Sequence, residues 1–285
     1  MDTDKKSIEQ RLQQIADMLI LNGTLVDCPG LIHGKTGIAI FFFHYAQYTS
    51  NVLYENYALD LIVEMQSQIH NNSPADYETG LAGIGVGIDY LLSNHFLEVD
   101  DDFFEDFDKR MVRAVMYDSC QDFTFYNGFA GFGQYWIMRQ RRHTSSVQAK
   151  DCLLHIAACM EKHFSDFSKE EKTDVYCFLY NLNQLPGFIV SSDIMNLCRN
   201  SLADAIRHIK RLGNCTVGKM AQMFLDNHYL ISSLSVETEC GLDNLPDLKG
   251  LNATNSMGLL TGYAGEGMLR LTSLYQTNRE WMYLL

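Results

Sequence analysis

The chain is short of several things. Only 4 of its 285 residues are proline, so helices meet few obligatory breaks. Its 22 Lys and Arg are outnumbered by 35 Asp and Glu, a formal net charge of −13. Phosphate backbones and anionic membrane surfaces are bound by clustered basic residues, so this balance argues against a nucleic-acid or a membrane partner. None of the eight cysteines forms a CxxC pair; they stand singly at Cys28, Cys120, Cys152, Cys159, Cys177, Cys198, Cys215 and Cys240. In that setting most of them read as reduced, buried and inert. The apolar run Ile38–Phe43 is far too short to cross a bilayer. The opening MDTDKKSIEQRLQQ is charged and has no signal-peptide core. These features predict a cytoplasmic protein.

Strand signals are also missing. No Asn-Gly hairpin lies between alternating apolar residues. Apolar residues instead recur every three or four positions. Ser7–Leu21 does so through Ile8, Leu12, Ile15 and Leu19, and Asp102–Met116 through Phe103, Phe107, Met111 and Val115. Glu55–Ile69, Val147–Phe164, Asp193–Leu212 and Ala221–Ser233 continue the series. The acidic run Asp101–Asp106 suits a helix start, where negative charge complements the dipole. The fold class predicted is all-α, as one domain over residues 1–285.

What the chain does contain is a returning glycine motif. It reads Gly34-Lys-Thr-Gly37, Gly80-Leu-Ala-Gly83, Gly128-Phe-Ala-Gly131 and Gly262-Tyr-Ala-Gly265. The first two steps are 46 and 48 residues, and the last is close to three more. Such a period marks a repeat in which no unit buries its own apolar face. Polar-faced helices alternate with helices apolar nearly all round, which must be enclosed. Six hairpins of this length fill the chain. Six inner helices, each starting at a GxxG, ringed by six outer ones, make an α/α toroid. Two glycines three apart leave one helix face bare, so a neighbouring backbone can approach. Two repeats lack clear glycines and fall near residues 173–182 and 215–218, the second keeping Gly218. Gly83-Ile-Gly85-Val-Gly87 follows no strand, so a dinucleotide reading fails on context.

The glycine segments resemble the lanthionine synthetase C-like family. Leu31-Ile-His-Gly-Lys-Thr-Gly-Ile-Ala, Thr79-Gly-Leu-Ala-Gly-Ile-Gly, Asn127-Gly-Phe-Ala-Gly-Phe-Gly and Gly258-Leu-Leu-Thr-Gly-Tyr-Ala-Gly-Glu-Gly look like its repeats. The resemblance implies an α/α toroid. It also implies a central zinc, held by two cysteines and a histidine, that activates a peptide thiol for addition to a dehydroamino acid. This chain departs from the zinc motifs. The family's Trp-Cys-x-Gly could correspond to Tyr176-Cys177-Phe178-Leu179, and its Cys-His-Gly to Gly213-Asn214-Cys215. Gly and Asn then stand where a thiolate and an imidazole are needed, so two of three ligands are missing. Cys177 and Cys215 remain as vestiges of a degenerate site. A shifted site from Cys28, His33 and Cys177 is the alternative, since Ile32-His33-Gly34 looks like Cys-His-Gly without its cysteine. The expectation is no bound cofactor, zinc included.

The inner-helix starts should converge at one mouth, where free amides favour an anion or carboxylate. His33, Lys35, Glu78, Asn127, Cys177, Asn214, Thr261 and Tyr263 are the candidate pocket residues. No catalytic residue is assigned. Three functions compete. One is a member of this family that modifies or binds ribosomally made peptides without the usual zinc, with a precursor peptide or a peptide-modifying enzyme as partner. Another is a glycosidase-type toroid, needing facing carboxylates such as Asp76, Glu78, Asp89, Asp243 or Asp247. The third is a non-catalytic scaffold whose ring is filled by its own Phe and Tyr side chains.

Overall fold

The computed structural model describes residues 2–100, 102–118, 121–191, 193–196, 257–260, 262–275 and 279–285. Among them every regular element is helical. The α-helices are α1 (Asp2–Asn22), α2 (Lys35–Thr49), α3 (Val52–Ser67), α4 (Leu81–Ser93), α5 (Glu105–Met116), α6 (Phe129–Arg142), α7 (Val147–His163), α8 (Lys169–Asn183) and α9 (Tyr263–Tyr275). Short 3-10 turns occupy Gly23–Leu25, Phe164–Asp166 and Arg279–Leu284. Residues 193–196 are helical, and the rest of the helix expected over 193–212 lies outside the described residues, as does 221–233.

Local chemistry sets the boundaries. Ser168 opens α8 with a capping box, its hydroxyl accepting the Glu171 amide while the Glu171 carboxylate accepts the Ser168 amide. Ser146 and Asn51 cap α7 and α3 in the simpler way. The acidic start of α5 carries Glu105, Asp106 and Asp108 in its first turn. Gly34, Gly80 and Gly128 occupy the N-cap position of α2, α4 and α6, and Gly262 precedes α9.

Two layers follow from the apolar patterns. The helices that begin at glycine motifs are enclosed: Lys35 through Ala46 of α2 are all buried. The others bury a stripe, as α5 does with Phe107, Met111, Ala114 and Val115. The enclosed helices pack in the order α9–α2–α4–α6, and α8 continues the row beyond α6. On that row, α3 covers α2, α5 covers α4, α7 covers α6, and α1 covers α9. The first helix of the chain therefore packs on the last α-helix described.

In three of the four motifs the second glycine explains the close fit. A Cβ on Gly83 would collide with the Tyr77 carbonyl of the preceding loop, and the same clash recurs between Gly37 and Leu31 and between Gly131 and Phe125. Each clash lies six residues upstream. The bare glycine face thus receives the helix's own entry loop, a closer partner than the neighbouring repeat. No described helix is long and apolar enough to cross a membrane.

Candidate functional site

The loops entering α2, α4, α6 and α9 lie edge to edge and form a belt. The Leu259 amide donates to the Ile32 carbonyl at 2.8 Å, and the Ile32 amide to the Glu78 carbonyl at 3.4 Å. The amides of Tyr77 and Glu78 then donate to the Tyr126 carbonyl at 2.8 and 3.1 Å. Ile32, Glu78 and Tyr126 each stand two residues before the first glycine of their motif. The pattern predicts that the Phe125 amide should meet a carbonyl of the next repeat, where no glycine loop exists. It meets the Asp174 carboxylate of α8 instead, at 2.8 Å. A side-chain oxygen continues the belt where the motif has been lost.

The expected anion site is corrected here. At least one first-turn amide of each glycine-headed helix is already engaged. Lys35, Leu81, Phe129 and Ala264 donate to the carbonyls of Cys28, Pro74, Asp122 and Met257, all seven residues upstream. The entry loops satisfy donors that an anion would have used. The side chains around them carry the opposite sign from what an anion wants. Asp76 accepts the amides of Thr79 and Gly80, Asp122 accepts that of Thr124, and Glu78 and Asp174 complete an acidic rim.

The candidate residues separate into groups. His33 and Glu78 are brought together: His33 Nε2 lies 3.1 Å from Glu78 Oε1, with the side chains 36% and 33% exposed. Lys35 is buried and turns to the outer layer, where its ammonium meets Glu64 of α3 at 2.9 Å. Asn127 is exposed in the loop entering α6. Tyr263 is buried at the start of α9 with the Arg11 guanidinium 6.0 Å over its ring. Asn214, Thr261 and the vestigial Cys215 lie outside the described residues. Cys177 lines a partly open cavity of about 70 Å³ with Tyr126, Gln134, Asp174, Tyr283 and Leu285.

The last two cavity residues belong to a segment that sequence reasoning missed. Trp281 is fully buried, and its indole N–H donates to Thr272 of α9 at 3.1 Å. The Tyr77 hydroxyl donates to the Leu284 carbonyl, and the Tyr126 hydroxyl to the Leu285 carbonyl, each at 3.1 Å. The same segment packs on α4. It therefore touches α9, α4 and the loops entering α4 and α6, all members of the enclosed row. Burial, reinforced by the charges of Asp174 and Glu78, drives the Tyr126 phenol well above its ordinary pKa, so it stays a donor. The one hint in the sequence was position: Tyr77 and Tyr126 sit just ahead of the glycine motifs.

Among the described residues no three His, Cys, Asp or Glu side chains gather as a metal site, so Cys28, His33 and Cys177 are not brought together. Burial raises the Cys28 thiol pKa, a backbone hydrogen bond at Gly30 opposes it, and the carboxylates of Asp76 and Glu78 raise it further. The glycosidase alternative asks for paired carboxylates, but Glu78 is engaged by His33 and Asp89 of α4 by Arg142 of α6. Asp243 and Asp247 lie outside the described residues. No family model matches this chain, and no curated protein matches it.

Proposed function

We propose that this chain is a lanthionine synthetase C-like α/α toroid that binds a peptide at the mouth of its ring, in ribosomally made peptide modification, without the family's zinc chemistry. The toroid is supported by the row α9–α2–α4–α6–α8 and by α1 packing on α9. The belt of loops, each handing its amides to the next, is what a ring of repeats requires at one rim.

One observation carries peptide binding. Two tyrosine hydroxyls, one from each of two adjacent belt loops, donate to consecutive main-chain carbonyls of Leu284 and Leu285. Both leucine side chains are buried there. Main-chain carbonyls are present in any peptide, so hydroxyls aimed at them recognise backbone, while apolar surroundings select side chains. The belt loops already hold a stretch of polypeptide by means that suit one supplied from outside. The reading assigns binding and no catalytic step.

The test is a titration of the full chain with short fluorescein-labelled apolar peptides, read by anisotropy, with hydrogen exchange as the map. Saturable binding is expected, with slowed exchange at amides around Tyr77 and Tyr126. Saturable binding that protects only the outer helices would sink the proposed mouth. The scaffold reading keeps one observation in its favour, the complete burial of the large Trp281 side chain beside α9.

A further inference from the structure

We propose that the cleft between α3 and α5 is a binding site for a small planar aromatic monocarboxylate. It lies in the outer layer, and its lining shares no residue with the cavity beside Cys177.

The cleft follows from how the outer helices are laid down. Helices α5 and α7 pack against each other, whereas α3 and α5 each cover an enclosed helix without packing closely on one another. The gap between them is a cavity of about 260 Å³ that reaches Leu81, the first residue of α4. Its floor is apolar. Leu81 and Phe107 are buried, and the partly buried Phe103 ring stacks on Phe107 with centroids 5.6 Å apart. Its walls are polar, with Gln66 and His70 on the α3 side and Arg110 on α5. The turn that carries His70 is fixed. The Ser73 amide donates to the His70 carbonyl at 2.8 Å, and the His70 amide donates to the Ser73 hydroxyl at 2.9 Å. An apolar floor with a few convergent polar groups is the usual construction of a small-molecule site.

Size sets the body of the ligand. A cavity of roughly 150 Å³ admits one benzene ring. The larger space here suits one ring or two fused ones, with Phe103 offered for stacking. Charge sets the polar end. Arg110 is the one permanent cation in the lining. Its side chain is 20% exposed, and Nη1 donates to Asp118 at 2.9 Å. The other N–H groups of this guanidinium have no partner among the described residues. A guanidinium only donates, and its planar edge matches a carboxylate. The carboxylate in the lining, Asp106, is engaged by Lys109 at 3.0 Å. A dianion such as phosphate would face Asp106 and Asp118 with one guanidinium to offset them. A single carboxylate therefore suits the cleft better. Gln66 and His70 on the opposite wall supply hydrogen bonds for a ring substituent.

The experiment titrates the full chain with 2-naphthoate and with uncharged 2-naphthamide, read by saturation-transfer NMR. 2-Naphthoate is expected to bind saturably, with a dissociation constant of about 1 mM or tighter. The amide should bind about fivefold more weakly, because it lacks the charge that Arg110 recognises. Arg110→Gln should make the two ligands bind equally. Gln66→Trp, which fills the cleft from an exposed position on α3, should abolish binding of both. Circular dichroism checks that each variant stays helical, and Arg110→Gln carries the comparison if Gln66→Trp does not fold. Equal affinity of the full chain for both ligands overturns the carboxylate assignment. Undiminished binding by folded Gln66→Trp overturns the site, and no saturable binding of either ligand overturns the whole proposal.

Discussion

His44 shows how a single side chain can reverse the usual role of its type. It lies on α2, an enclosed helix, with Nε2 2.7 Å from the Tyr90 hydroxyl and its ring against Phe96. Burial pushes its pKa down to about 4 from 6.5. The imidazole is therefore neutral when folded, and protonation favours unfolding. Between pH 6.5 and 4 the unfolded chain binds the extra proton, so stability rises with pH across that window and is lost as pH falls through it. A displacement of this size is worth about 3 kcal/mol. Urea denaturation at pH 7 and pH 4.5 should show a loss to which His44 contributes, and His44→Phe should make that loss smaller. An unchanged slope in that variant would refute the assignment. The residues that meet at the belt were only half legible. His33 and Glu78 could be named because both flank a glycine motif, and they do pair. Lys35 lies inside one, yet it turns toward Glu64 of α3. Side-chain direction at a helix start depends on the covering helix, which no local pattern reveals.

At the scale of elements, the glycine motif is the best-read feature. Its four copies head four enclosed helices. The outer-helix stripes over Ser7–Leu21 and Val147–Phe164 fall inside α1 and, within a residue, on α7. The partner of the motif was read less well. The bare face receives the entry loop six residues upstream. Gly83→Ala should accordingly crowd the Tyr77 carbonyl and cost about 1–3 kcal/mol, the range of overpacked sites. Chemical denaturation measures it. A loss below half of one kcal/mol would mean that the loop yields freely. Because Tyr77 also grips Leu284, the same variant should speed hydrogen exchange at Leu284 and Leu285.

The whole molecule depends on joining elements distant in sequence. Glu266 of α9 is fully buried and accepts both Arg11 of α1, at 2.9 and 3.0 Å, and Arg270, at 2.8 Å. This bidentate pair fastens the first helix to the last α-helix described, at the seam where the proposed ring closes. Glu266→Gln leaves two guanidinium groups with a weakened partner in a poorly hydrated place. Breaking a buried pair by removing one member costs about 3–5 kcal/mol. A fall of that order in unfolding free energy is expected, with faster exchange in α1. A loss no greater than that of an exposed ion pair would argue against a seam there.

By itself the sequence determined the class of element and its rhythm. Residue spacing decides helix against strand, and a recurring Gly-x-x-Gly decides where the enclosed helices begin, because both are local consequences of backbone sterics and of which faces are apolar. Tertiary structure alone decided what fills the interior and what each loop amide bonds to. Arg11 reaching Glu266, Tyr77 and Tyr126 reaching Leu284 and Leu285, and Asp174 standing in for a carbonyl are contacts across many tens of residues. Such contacts follow from how the helices pack around one another, and helix packing is a property of whole surfaces that no stretch of neighbouring residues contains.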